Sequence, residues 1–387
     1  MTSAFYEFLV RDARTLAILG EIRPQDVARA SWTRHQVDAG SWSLVIPRAS
    51  QTLLQQGQSL VTGMNLLEIR RDGEREYCGY IEHGALDPQG LLWTVGGRDL
   101  LAWLDWRVCG ASTAEAASGV AETVIKAYVD DHLGPGAAAA DRVATYLDGA
   151  TFTVEGDSAR GAAVEYSAQR RSLLAVTADL CRQGNLLQRM DLDDSDPPGG
   201  LVYSVDTPTD ATVSSGGTPF AVGMDNVEGL GYRFDYRRLQ NRLVVAGDGL
   251  GNTRTTRTVE DAASVAAIFP RDGVYAFPAG TTSDQLDAIG AAELQRQMDA
   301  SVAADVVPLT TSANARYRED WDVGWDVTVA IPVAGVAAID RRIVSAQVSL
   351  SDGEGERISF SLGTERPASV ARRLETAINQ LRTAAYG

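Results

Sequence analysis

The sequence predicts a β-rich α+β fold: two small β-barrels, one in each half of the chain, with α+β material between them and a helix at the end. Short runs of alternating apolar and polar residues recur between turn signals, the pattern of a small barrel or sandwich. Two distant stretches repeat one order of elements: strand, turn, strand, glycine, helix-like segment. A chain of 387 residues also exceeds one ordinary core and fits about two to four compact units. On this reading residues 1–105 form the first barrel and 106–229 an inserted α+β unit. Residues 230–365 form the second barrel, interrupted around 266–305 by an α+β segment, and 366–387 form a C-terminal helix.

The first unit opens with Phe5, Glu7, Leu9 and Arg11, which alternate with their neighbours, and Leu16 to Ile22 makes a second short run. Trp42 to Ile46 is a third, stopped by Pro47. Asn65 to Arg70 and Arg75 to Ile81 flank Arg71-Asp72-Gly73, and Asp-Gly between two such runs signals a hairpin. Tyr80 to His83 leads to a turn at Asp87-Pro88-Gln89-Gly90, and Leu91 to Val95 closes the unit. After Gly96-Gly97, Asp99 to Leu104 reads as one or two helical turns.

In the inserted unit, Glu115 to Leu133 reads as a helix with Val120, Val124, Tyr128 and Val129 near one face. Ser172 to Arg182 reads as another, stopped by Gly184. Asn185 to Asp191 and Gly200 to Val205 make a hairpin across the polar loop 193–199.

The second β block starts near Gly231 with the aromatic–charged alternation of Tyr232 to Tyr236, followed by a strand at Asn241 to Ala246. Ser283 to Ala300 is a helix with Leu286, Ile289 and Met298 inward and a capping-box pair at Thr282 and Gln285. Trp325 to Ile331, Arg342 to Leu350 and Arg357 to Leu362 are further strands. In the last helix Val370, Leu374, Ala377, Leu381 and Ala384 recur at 4-3-4-3 spacing, a coiled-coil seam that Ile378 widens. Val370, Leu374, Ile378 and Leu381 are therefore candidate interface residues. The helix packs on its own barrel, makes a three-helix contact or docks a partner.

The internal echo pairs Tyr80–Leu104 with Arg342–Leu374. If it reflects a repeat, three copies of the chain present six similar barrels in a ring.

Composition narrows function. Apolar residues make up 44% and charged residues 22%, as in globular chains. No run of about twenty apolar residues exists, so no membrane partner is expected. Met1 to Val10 lacks the basic end and apolar stretch of a signal peptide. A net charge of −16 repels phosphates and argues against sequence-reading DNA binding. Lys126 is the single lysine, and arginine suits bidentate pairing at interfaces. Cys78, Cys109 and Cys181 form no CxxC pair and read as buried free thiols, which implies assembly in a reducing cytoplasm.

No catalytic, cofactor or metal site is expected. His35, His83 and His132 stand apart without HExxH or HxH spacing. Gly247-Asp248-Gly249-Leu250-Gly251 lacks GxGxxG spacing and leads into the strand-like Thr253 to Thr258 rather than a helix. Asp191, Asp193, Asp194 and Asp196 form an acidic turn, with Asp196 and Val202 where a calcium loop needs Gly and Glu. No GxSxG elbow occurs. Some of the seven tryptophans, among them Trp32, Trp42, Trp103 and Trp106, would serve sugar stacking, but they lie in apolar patterns that favour core packing.

Two phrases carry a resemblance. Asp320 to Val329, an acidic Gly-containing turn entering a strand, is followed by Arg342 to Val348 and an Asp-Gly turn. Gly40 to Pro47 is followed by Ile69 and Gly79 to Glu82. Together they resemble siphophage tail hub or tail-tip proteins related to the baseplate hub of contractile phages. The resemblance implies a non-enzymatic virion protein at the distal end of the tail: a homotrimeric hub joining a six-fold tail tube or distal tail protein to a three-fold tip. It implies a tape-measure protein and a central fibre or tip protein as further partners, with DNA only passing through the lumen. Relatives often carry a peptidase or glycan-cleaving module after the hub. Here Gly387 follows the last strand by about twenty residues, so no cell-wall cleavage is expected. The alternative is a glycan-binding tail module for host adsorption.

Overall fold

The structure, a computed structural model, describes residues 4–47, 65–193, 195, 198–237, 239–247, 254–276, 286–287, 290–291, 293–294, 302–309, 315–331, 338–351 and 355–363. The N-terminal unit holds β1 (Tyr6–Asp12), β2 (Ile18–Ile22), β3 (Arg29–His35), β4 (Ser41–Pro47), β5 (Asn65–Arg71), β6 (Glu74–Tyr80), β7 (His83–Leu86) and β8 (Leu92–Arg98). Four of them make one antiparallel sheet in the order β2-β1-β5-β6. The β5–β6 turn has Asp72 and Gly73 at φ 53° and 89°, the positive angles a tight hairpin demands. In β4, Trp42, Leu44 and Ile46 point inward and alternate with less buried neighbours. Strand β8 runs through Gly96-Gly97 instead of stopping before them. A Cβ on Gly97 would lie 1.9 Å from the Tyr80 carbonyl oxygen, so only glycine lets the end of β6 cross β8 so closely.

The inserted unit contains α1 (Ala102–Asp105), β9 (Val108–Cys109), β10 (Glu115–Val120), α2 (Ala121–Leu133), α3 (Val143–Tyr146), β11 (Thr151–Val154), β12 (Ala163–Ala168), β13 (Arg171–Ser172), α4 (Leu173–Gly184), β14 (Leu187–Leu192) and β15 (Gly200–Asp206). Glu115 to Val120 is thus a strand, not the start of a helix. It pairs antiparallel with β12, Ala117 opposite Tyr166, and that ladder overrides the helix propensity of Glu-Ala-Ala. Helix α4 begins on Ser172, whose hydroxyl accepts from the Ala175 amide at 3.3 Å. It ends on Asn185 in the left-handed conformation, one residue beyond the expected Gly184 stop. Helices α2 and α4 bury Val124, Ile125 and Val129 against Leu173, Val176 and Leu180 in one core.

The C-terminal unit adds β16 (Thr209–Ala211), β17 (Val227–Phe234), β18 (Arg242–Ala246), β19 (Thr256–Glu260), α5 (Ala262–Ile268), β20 (Asp272–Ala276), β21 (Val302–Pro308), β22 (Trp325–Val329), β23 (Ile339–Ser351) and β24 (Gly355–Leu362). Strands β19, β18 and β20 form a separate small sheet, whose Leu243 and Val245 pack on Leu286 and Leu294. The latter two sit in helical backbone, as expected for that helix; Ile289 and Met298 lie outside the described residues.

The ten-stranded sheet joins the two halves. Its main path is β17-β21-β24-β23-β3-β4-β8-β7, with β22 on β23 and β16 on β22. Strand β23 is the spine: Asp340 and Arg341 face β22, while Ser345 to Ser351 face β3, Val348 opposite Trp32. One core cluster accordingly mixes Phe8, Trp32 and Trp42 with Trp321, Ile343 and Phe360. Among the described residues no sheet closes into a barrel. Strands from both halves, β4, β7 and β8 with β17 and β21 to β24, meet in one shared sheet through β3, a strand that the sequence reading did not place, while β1, β2, β5 and β6 keep a sheet of their own. Only Ala30 and Trp32 in β3 are fully buried, so it barely alternates.

Candidate functional site

Three features of the fold bear on function: the seam between the halves, the ends of the large sheet, and one cluster of donor atoms.

The seam is polar as well as apolar. Glu76 of β6 is buried and accepts from Trp32 Nε1 at 3.2 Å, Tyr317 Oη at 2.8 Å and Arg318 at 3.0 Å. Beside it, Arg34 of β3 pairs with Asp322 at 2.6 Å and donates to Tyr317 Oη at 3.1 Å. Burial pushes the Asp322 carboxyl up, but Arg34 and Arg318 outweigh it and hold the group below its usual range. Arg71 grips Glu356 at 2.8 and 3.2 Å, and Tyr6 donates to the same carboxylate. Apart from the Trp32–Glu76 bond, each of these links ties a residue before position 80 to one after 315. The network fixes register and orientation between halves that hydrophobic burial alone would leave free to slide.

The main path of the large sheet ends in two unlike strands. Strand β7 is exposed along its whole length and, among the described residues, pairs only with β8. Leu86, Leu91 and Leu92 stand exposed at its turn. At the far end β17 pairs only with β21 among the described residues. There Tyr232, Phe234 and Tyr236 form an aromatic ladder with centroids 6.2 and 5.7 Å apart, and Phe234 is 62% exposed. An open groove beside it is lined by Arg233, Phe234, Arg237, Leu239 and Arg271. Unpaired strand edges with apolar side chains are pairing surfaces unless something covers them.

The donor cluster lies in the inserted unit. Cys109 Sγ, a Glu115 carboxylate oxygen and His132 Nε2 lie within 4.8 Å of one another. The three cysteines are buried free thiols, as expected. His132 does not stand alone, as its sequence position suggests: its Nε2 is 2.8 Å from Glu115 Oε2. Residues 109, 115 and 132 match no metal-binding spacing, and only the folding of β9, β10 and α2 brings them together.

Other expectations fall as follows. Val370, Leu374, Ile378 and Leu381 lie outside the described residues, as do Asp194, Asp196 and the glycine-rich residues 248–252. Asp193 is engaged locally, accepting from the amides of Ser195 at 3.1 Å and Gly199 at 3.0 Å, a turn-closing role. Trp32, Trp42 and Trp321 are core residues, whereas Trp106 is 46% exposed. No helix among the described residues is long and apolar enough to cross a membrane.

Several solved structures share the architecture. The 43 kDa tail protein of prophage MuSo2 from Shewanella oneidensis superposes with a TM-score of 0.59 at 17% identity, covering 92% of this chain and 98% of that one. The prophage tail protein gp18 of Listeria monocytogenes gives 0.55 at 11% identity, covering 98% and 100%. A chain of the Francisella PdpA-VgrG complex gives 0.52 at 7% identity, covering 95% of this chain and 60% of that one. At these identities the likeness is one of fold. No curated protein sequence matches the chain. Residues 7–364 match the family model described as Siphovirus ReqiPepy6 Gp37-like protein, and the chain belongs to that family, as the sequence resemblance implied.

Proposed function

We propose that the chain is a structural, non-enzymatic subunit of a siphophage tail, acting as a hub at its distal end. Three copies form a ring that joins the tail tube or distal tail protein to the tip. A tape-measure protein and a central fibre or tip protein are its other partners, and DNA crosses the lumen during ejection. Assembly takes place in the host cytoplasm. The units 1–105, 106–229 and 230–365 are kept as the organising pieces, with the outer two supplying equivalent arcs of the ring. The helix 366–387, through Val370, Leu374, Ile378 and Leu381, adds a contact near the axis.

One observation carries this reading: a single sheet spans both halves, and its main path ends in two different strands, β7 and β17. A ring built head to tail needs two unlike surfaces per subunit, and it closes when the rotation between copies divides the circle. Family membership supports the tail assignment, and the shared fold of two prophage tail proteins agrees with it.

The experiment uses two variants. Leu86→Lys with Leu91→Lys spoils the β7 edge, and Phe234→Lys spoils the β17 edge. Wild type is expected to run as a trimer with three-fold symmetry in negative stain, and each variant alone as a monomer with an unchanged far-UV spectrum. Mixed together they are expected to stop at a dimer, because one intact contact remains and closure is blocked. A wild-type monomer, or trimers in either variant, overturns the reading.

The ladder Tyr232-Phe234-Tyr236 beside an arginine-rich groove favours one second reading, a glycan-binding tail module. That reading expects Phe234→Ala to abolish retention on cell-wall polysaccharide while leaving the oligomeric state intact.

A further inference from the structure

We propose that Cys109, Glu115 and His132 form a binding site for one divalent cation of the zinc class. The three donors come from different elements: Cys109 from β9, Glu115 from the first residue of β10, and His132 from the last turn of α2. Their ligand atoms already lie within 4.8 Å of one another, close enough to share one tetrahedral ion after small side-chain movements. A thiol, an imidazole and a carboxylate together suit a borderline ion such as Zn²⁺. Calcium and magnesium prefer oxygen-only shells.

Supporting contacts are in place. The Gly110 amide donates to Glu115 Oε1 at 2.8 Å, leaving Oε2 turned toward His132. Gly110 takes φ +63°, and a Cβ there would lie 2.3 Å from the Ala168 carbonyl oxygen, so that amide is aimed by a turn only glycine can make. The Tyr128 hydroxyl donates to the Glu115 carbonyl at 2.7 Å and pins the start of β10. Metal sites commonly hold their ligands through such outer contacts.

Burial decides between an ion and a nucleophile. Cys109 is fully buried, while the Glu115 and His132 side chains are 38% and 16% exposed. A bulky substrate cannot reach Sγ, but an ion entering along Glu115 can. On binding, the S–H bond breaks, a sulfur–metal bond forms, and the proton leaves to solvent. Three protein donors leave the fourth position to water. The ion then clamps β9 and β10 to the end of α2.

The untagged full chain, stripped by chelator dialysis, is titrated with Co²⁺ and then Zn²⁺. The expected result is one Co²⁺ per chain, with tetrahedral d–d bands and a thiolate-to-cobalt charge-transfer band that Zn²⁺ removes. Cys109→Ser loses the charge-transfer band, and Cys181→Ser keeps it. His132→Gln is expected to weaken affinity by at least the roughly 10–100-fold seen when only an outer-shell partner is changed. If Cys109→Ser fails to fold, Glu115→Gln, which still accepts from Gly110, is expected to bind Co²⁺ more weakly. No charge-transfer band in the folded wild type, a band surviving in Cys109→Ser, or unchanged affinity in Glu115→Gln overturns the proposal.

Discussion

Asp99 is half-buried just after β8, its oxygens accepting from the amides of Gly40 at 2.7 Å and Leu101 at 3.0 Å. Burial pushes this carboxyl up to about 7, against the opposing pull of those two amides. An acid raised in the folded state favours folding while protonated. Its contribution is complete below about pH 4, the ordinary carboxylate range, and is lost as pH rises through about 7. Asp99→Asn keeps an oxygen for the amides and removes the titration. Urea unfolding at intervals from pH 4 to 8 is expected to show wild type losing stability relative to the variant across that window. A constant difference at every pH refutes the assignment. Glu122 behaves in the opposite sense. Hydrogen bonds from Arg160, aided by Lys126 2.6 Å away, hold it well below the usual range although burial opposes them. Its contribution is therefore present above the ordinary carboxylate range and lost only in strong acid. Such individual values were not legible in sequence, because Asp99 and Glu122 look like any other acid until their neighbours arrive through the fold.

At the scale of elements, the pairing of β3 with β23 decides how the halves meet. Val348 sits opposite Trp32 in that ladder, and Arg34 on the same strand reaches Asp322 just before β22. Removing one member of a buried pair strands the other charge, so Asp322→Ala is expected to cost about 3–5 kcal/mol. Denaturant unfolding checks this, and a loss near zero would show that Arg34 finds water or another partner. Most strands were readable: the Asp-Gly hairpin, β4 ending at Pro47, and β22 to β24 all stand where alternation and turn residues put them. Others were not, β3 and β10 among them. Strand β3 carries too few inward side chains to alternate visibly. Strand β10 has helix-forming residues but finds a partner strand in β12, a long-range pairing that no local pattern encodes. The donor cluster escaped for the same reason, since β9, β10 and α2 become neighbours only in the folded unit.

For the whole molecule, charge and sheet edges pull in opposite directions. A net charge of −16 per chain makes like subunits repel. The proposed ring contacts at β7 and β17 rest on strand pairing and apolar side chains such as Leu86 and Phe234, which salt does not screen. Raising salt from about 0.05 to 0.5 M is therefore expected to tighten the trimer, because it weakens only the repulsion. Sedimentation across that range checks it. Dissociation on adding salt would instead mark an interface held by ion pairs.

Sequence by itself determined the β-rich class, the positions of most strands and turns, and the family, because these follow from side-chain period, turn chemistry and local phrases within a few residues of one another. Tertiary structure alone decided that the two halves share one sheet and core, that Glu76 and Asp322 stitch them, and that Cys109, Glu115 and His132 converge. Those outcomes depend on which strand edges find each other over hundreds of residues, a choice made by summed burial and pairing across the whole chain rather than by any local pattern.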